Sequence, residues 1–209
     1  MNTMYTGIVH GAYPLTSVLR KAGLSQLAIE LPPALLVDLS IGASVGLDGV
    51  CMTVTEINGQ QICFDAMQET LTLTTLGGLD VGDLVNVERS AKQGAEIGGH
   101  NISGHVDGCA EIIAVEESEN NCSLYFRLPP QLTKYVFKKG FIGVNGCSLT
   151  VADYQPTEEC FSVCLIPETL RVTNLGQKGV GDWVNIEVDR QTQVIVDTVE
   201  RVLAERDSA

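Results

Sequence analysis

The sequence predicts an all-β protein made of one small barrel written twice in tandem, followed by an amphipathic helix. Three observations carry this reading. The chain repeats itself at a nearly constant offset, each copy is a string of short strands cut by turns, and the last stretch has helical spacing without a counterpart in the first copy.

The repeat comes first, because missing it would misassign everything downstream. Thr6-Gly7-Ile8-Val9-His10-Gly11 aligns with Ser103-Gly104-His105-Val106-Asp107-Gly108 at a shift of 97 positions. The same shift lays Leu31-Pro32-Pro33 on Leu128-Pro129-Pro130, and Val45–Val54 on Ile142–Val151. A two-residue insertion between Tyr154 and Leu165 then changes the shift to 99. Beyond it, Glu69–Glu88 matches Glu168–Glu187 with 12 of 20 residues identical, among them Val-Gly-Asp, Val-Asn and the closing Glu.

Within each copy the elements follow from local chemistry. Val50-Cys51-Met52-Thr53-Val54-Thr55 is rich in β-branched and apolar residues, and Asn58-Gly59 after it is a hairpin-turn pair. Gly82-Asp83 predicts another turn, and the mostly apolar Leu84-Val85-Asn86-Val87 predicts a largely buried strand. Each Leu-Pro-Pro ends a strand and starts a short helix, since proline is tolerated in a helix's first turn. Several short strands at close spacing in ~97 residues predict a small closed barrel. Gly94–Asn101 is the connector between copies. From Gln191 to Glu205, Ile195, Val199, Val202 and Leu203 recur at helical spacing among Asp197, Glu200 and Arg201, a one-sided seam suited to joining subunits or, nearly as well, to packing on its own domain.

Composition narrows the function. A formal charge of −13 and the lack of any basic stripe argue against nucleic acid. There is no leader-like segment at Met1–Thr6 and no run of ~18 apolar residues, so neither export nor membrane spanning is expected. The seven cysteines form no CxxC pair and no Cys/His zinc spacing, which fits a reducing cytoplasm and thiols buried as small hydrophobes. Metal binding has little support, with three histidines and no acidic pair joining them, and the glycines match no phosphate-cradling motif.

Two similar barrels imply two similar pockets and two similar ligands. Chemistry should then differ where the copies diverge inside conserved surroundings: Ile8 against His105, Cys51 against Ser148, and Asp48 against Asn145. His105 follows Gly104, which lets a ligand approach the backbone, and suits proton transfer or hydrogen bonding. Cys51 with Thr53, and Ser148 with Thr150, alternate along one strand and share a face, expected to be an inner, ligand-facing one. Ordinary strand composition also accounts for the threonines, and an inert thiol for Cys51. These residues define a binder of two small, flat heterocycles.

With those residues placed, the chain resembles the riboflavin synthase family over essentially its full length. The matching motifs are Met4-Tyr5-Thr6-Gly7-Ile8-Val9, Asp48–Val54, Gly98-Gly99-His100-Asn101-Ile102-Ser103-Gly104-His105-Val106-Asp107-Gly108, Gly146–Val151 and Leu165-Ile166-Pro167-Glu168-Thr169. The resemblance implies two six-stranded Greek-key barrels, at 1–97 and 98–189, and a C-terminal helix at 190–209 that gathers three subunits. It implies a dismutation in which two molecules of 6,7-dimethyl-8-ribityllumazine exchange a four-carbon unit, without metal or organic cofactor. The active site would lie between the first barrel of one subunit and the second barrel of its neighbour.

Carried over by motif, one pocket takes Gly7, Ile8, Val9, Cys51, Met52, Thr53 and Asp65, Ala66, Met67, Gln68, Glu69 and Thr70. The other takes Gly104, His105, Val106, Lys139, Ser148, Leu149, Thr150 and Cys164, Leu165, Ile166, Pro167, Glu168 and Thr169. Tyr5 and Ser44 complete the set, and Cys51, His105, Ser148 and Thr150 are the catalytic candidates. Two departures from the family pattern stand out: Tyr5 follows Met4 where Phe is usual, and Asp48 and Asn145 reverse the usual Asn-first, Asp-second order. A non-enzymatic relative similar to lumazine protein is the rival reading. It is disfavoured by the presence of all four catalytic candidates.

Overall fold

The computed structural model describes residues 5–92, 94–118 and 121–207. The first copy contributes β1 (Gly11–Lys21), β2 (Leu24–Glu30), a helical turn α1 (Pro33–Leu36), β3 (Ser44–Leu47), β4 (Val50–Asn58), β5 (Gln61–Met67), α2 (Gln68–Leu73) and β6 (Leu84–Arg89). The second contributes β7 (Gly108–Ser118), β8 (Asn121–Arg127), β9 (Phe141–Val144), β10 (Cys147–Gln155), β11 (Cys160–Leu165), α3 (Pro167–Val172) and β12 (Trp183–Val188), and α4 (Arg190–Asp207) follows. Each set of six strands closes on itself in the same order, β1-β2-β5-β4-β3-β6 and its equivalent, all antiparallel and Greek-key in connection. Among the described residues no helix is long and apolar enough to cross a membrane.

The duplication extends to irregularities. Register shifts at Leu15/Ser17 and Val54/Glu56 recur at Ile112/Ala114 and Val151/Asp153, so the same bulges bend the same strands to close both barrels. Asp48-Gly49 and Asn145-Gly146 both have two positive φ values, the signature of a tight type I′ hairpin turn. The hairpin signal at Asn58-Gly59 is shifted by one: Asn58 pairs with Gln61, and Gly59-Gln60 turns the chain. The two-residue insertion lies in the β10–β11 turn, where Gln155 pairs with Cys160 across a 3-10 turn at Pro156–Glu158. Both prolines predicted to start helices do so, Pro33 in α1 and Pro130 in a 3-10 turn over Pro130–Tyr135.

Each barrel is filled by its own side chains. Leu27, Ile29, Val45, Phe64 and Val85 fill the first, and Leu124, Val144, Ile186 and the stacked Phe126 and Phe161 fill the second. Each such side chain contributes about 1.5–3 kcal/mol of burial. Among the described residues these side chains fill both interiors, as expected of six strands.

The barrels face each other with reciprocal contacts, as a pseudo-twofold axis requires. Gly49 and Gly146 meet so closely that a Cβ on either would lie 2.6 or 2.7 Å from the other's backbone nitrogen. Around them Asn86 Nδ2 donates to the Asn145 carbonyl and Asn185 Nδ2 to the Asp48 carbonyl, both at 2.9 Å. This explains why Leu84–Val87 is a strand buried on both faces: Val85 and Val87 point into the barrel, while Asn86 faces the other barrel.

Candidate active site

Each barrel is preceded by an arm, Tyr5–His10 before the first and Ile102–Asp107 before the second. Tyr5 and Ile102 pair as an isolated antiparallel bridge, with N–H···O distances of 3.0 and 3.1 Å. A buried carboxylate anchors each arm to its own barrel. Glu88 accepts from the Thr6 N–H at 2.7 Å, the Thr6 hydroxyl at 2.9 Å and the Gly7 N–H at 3.0 Å. Glu187 accepts the equivalent three from Ser103 and Gly104 at 2.7, 2.7 and 2.9 Å. Burial pushes both carboxyls above their usual range, and these hydrogen bonds pull back the other way.

Beyond the anchor each arm crosses to the opposite barrel. The Cys51 N–H donates to the Gly104 carbonyl at 2.8 Å, and the Ser148 N–H to the Gly7 carbonyl at 2.9 Å. Val106 joins the core of the first barrel and Val9 that of the second. His105 therefore stands beside Cys51, and Ile8 belongs with Ser148. The sequence-based partition had these arms the other way round. A shift constant along the chain identifies equivalent residues but does not say which barrel an arm touches.

The first cleft is lined by Val50, Cys51, Glu69, Thr70, Leu73, Thr74, Gly104, His105 and Val106, and encloses about 290 Å3. It lies on the outside of the barrel. Val50, Met52 and Val54 point inward and Cys51 and Thr53 outward, so the thiol–hydroxyl face is the outer one, against expectation. The same holds for Ser148 and Thr150 on β10. Met52, Ala66, Leu149 and Leu165 consequently have core side chains and can offer a ligand backbone only. Asp65 and Met67, and Cys164 and Ile166, are exposed on the outer side beside them. Val9 and Val106 are core residues as well; Val106 also lines the first cleft beside Gly104 and His105, and Gly7 next to Ile8 accepts from the Ser148 N–H. Gln68 and Pro167 open α2 and α3, Glu69 and Thr70 line the first cleft, and Glu168 and Thr169 hold the matching positions, with Glu168 paired to Arg171. Ser44 pairs with Thr53 across β3 and β4. Lys139 has φ +68°, where the equivalent residue is Gly42 at φ +86°. Met4 lies outside the described residues.

Cys51 and Ser148 each have a side-chain partner: Tyr5, expected in the site without a stated role, and His100, which the expected site residues do not include. The Tyr5 hydroxyl donates to Cys51 Sγ at 3.2 Å. His100 Nδ1 lies 2.6 Å from Ser148 Oγ, its ring stacked on Phe141 at 5.2 Å. Burial lowers the His100 pKa, while Asp189 opposes this. A neutral imidazole with its proton on Nε2 accepts the serine hydroxyl, a basic arrangement. Arg190, the first residue of α4, ties the second arm down through Asp107 at 2.8 Å and the His105 carbonyl.

The lumazine binding domain model matches this chain twice, at residues 6–90 and 103–189. Riboflavin synthase of Escherichia coli (strain K12) is 53% identical over 207 residues, 99% of this chain and 96% of that one. Riboflavin synthase of Chlamydia pneumoniae is 43% identical over 201 residues, 96% and 98% of the two chains. Among solved structures, LumP complexed with riboflavin superposes with a TM-score of 0.84 at 26% identity, covering 90% of this chain and all (100%) of that one. LumP with 6,7-dimethyl-8-(1'-D-ribityl) lumazine gives 0.79 at 26% identity, covering 88% and 99%. Two lumazine-binding repeats in one polypeptide, and this degree of identity along nearly its whole length, establish that the chain belongs to the riboflavin synthase family.

Proposed function

We infer that this enzyme converts two molecules of 6,7-dimethyl-8-ribityllumazine into riboflavin and 5-amino-6-(D-ribitylamino)uracil, the last step of riboflavin biosynthesis. The observation that carries the reading is a pair of sites of one design with different chemistry, a Cys51–Tyr5 pair with His105 nearby and a Ser148–His100 pair. The reaction needs two copies of one heterocycle in different roles. One loses a proton from its C7 methyl and the other accepts a nucleophile at C7. Four carbons then pass from one to the other, so the atoms balance without an oxidant. Ser148, relieved of its proton by His100, suits delivery of a base or nucleophile, and Thr150 lies on the same outer face. Orientation and stacking of the two rings supply much of the remaining acceleration.

The division into 1–97, 98–189 and 190–209, with the last segment joining three chains in the cytoplasm, belongs to this reading. So does a substrate pair shared between the first barrel of one subunit and the second of the next. The exposed seam of α4 supports it. Purified protein in chelator, mixed with the lumazine, should form riboflavin by absorbance. His105→Ala and Ser148→Ala should each lower turnover by about 10- to 1,000-fold with the fold intact. Tight retention of the lumazine without any riboflavin formed would favour the non-catalytic, lumazine-binding alternative.

A further inference from the structure

Tyr5 occupies a seat that its repeat counterpart, Ile102, cannot imitate. It is 2% exposed. Its ring packs where a Cβ on Gly46 would meet Cε1 at 3.4 Å and one on Gly104 would meet Cε2 at 2.8 Å, so the glycine at 104 must stay bare. Past them the ring carries its hydroxyl to Cys51 Sγ from beneath the cleft. A buried phenol needs a partner, and a thiol offers one proton and a weakly accepting sulfur. With the Tyr5 O–H donating into the sulfur, the S–H remains for whatever lies above. The second site has the opposite polarity: Ile102 has no side-chain donor, and the Ser148 hydroxyl meets an imidazole nitrogen.

We propose that Tyr5 is a positioning residue for Cys51, holding its sulfur as an acceptor from below so that the thiol proton is presented to a ring nitrogen or carbonyl of the ligand in the first cleft. The proposal rests on the lumazine reading of that cleft. Tyr5→Phe removes one oxygen and keeps the ring, so the packing is preserved. Binding of riboflavin and of 6,7-dimethyl-8-ribityllumazine, followed by ligand fluorescence, should weaken about three- to tenfold in Tyr5→Phe when Cys51 is present. In a Cys51→Ala background the same change should have no effect. Equal losses in both backgrounds, or none in either, would overturn the role. Without ligand, the Cys51 S–H stretching band, isolated by subtracting the Cys51→Ala infrared spectrum, should shift in Tyr5→Phe, and an unshifted band also overturns it. A wild-type protein that binds neither ligand refutes the lumazine reading itself, whereas binding without coupling refutes only the part played by Tyr5.

Discussion

Asp48 and Asn145 diverge between the copies, which marked them as chemical candidates, yet neither reaches a cleft. Both sit at the barrel–barrel contact in left-handed conformations, φ +46° and +45°. Asp48 Oδ1 accepts from the Asn86 N–H at 2.8 Å and Asn174 Nδ2 at 2.9 Å. Complete burial pushes its pKa up to about 7, against the pull of those hydrogen bonds and Lys178. A folded pKa above the unfolded value of about 3.9 means the protonated form fits better, so the contribution to stability is full below about pH 4 and lost as pH rises through 7. Asp48→Asn should therefore stabilise by about 1–3 kcal/mol at pH 8 and by almost nothing at pH 4, measured by denaturant titration. An equal gain at both pH values would show that charge is not the cause. Thr75 Oγ1 is a buried oxygen without a hydrogen-bond partner among the described residues. It occupies the repeat position of Asn174, whose Oδ1 accepts from Asn145 Nδ2 at 3.2 Å, so an amide at 48 also brings a donor toward it. The turn was legible, because Asp-Gly and Asn-Gly favour these dihedrals. What the turn meets was not, since that depends on residues of the other copy.

At the scale of elements, the arms carry the most specific geometry. Gly104 has φ +79°, and a Cβ there would lie 2.6 Å from the Cys51 Cβ. Gly7, at φ +76°, would meet the Ser148 Cβ at 2.4 Å. Gly104→Ala should cost about 2–4 kcal/mol and abolish ligand binding in the first cleft while sparing the site at Ser148, and Gly7→Ala should do the reverse. Gly23→Ala, strained at φ +74° but facing open space, should cost only about 1 kcal/mol and leave both sites unchanged. Melting curves with two-site ligand titrations separate these outcomes. Strand and turn positions could be read locally from alternation and from the Gly and Pro residues. The face of β4 was misjudged although its signal was local: Val50, Met52 and Val54 alternate with Cys51 and Thr53, and the apolar set takes the core. Arm exchange left no local mark. Its trace was the repeated Val-Asn-x-Glu, two polar residues kept in a strand that should otherwise be apolar.

For the whole molecule, α4 is the element with unfinished contacts. Its acidic side is held to its own second barrel, with Lys134 bonded to Asp197 at 3.0 Å and Glu200 at 2.5 Å, and the Tyr135 hydroxyl to Asp197 at 2.6 Å. Such exposed ion pairs orient a helix more than they stabilise it. Ile195, Val199, Val202 and Leu203 all stay exposed. Deleting 191–209 leaves Arg190 on the second arm and should shift the protein to a smaller species on a sizing column, with turnover falling alongside. A truncated protein of unchanged size and activity would assign the seam no role in assembly. The crossed arms have an implication for how such a chain changes over generations. The first cleft draws three of its nine lining residues from the other copy's arm, and Gly7 meets Ser148 across the copies in the same way, so neither copy is free to drift toward a ligand of its own. A gain in one site that enters through an arm is tested at once against the barrel that arm belongs to, through Glu88 or Glu187. Selection on the two sites is thereby tied together, and specialisation proceeds by single side chains such as Ile8 and His105 that stand at an arm's tip, rather than by the remodelling of a barrel.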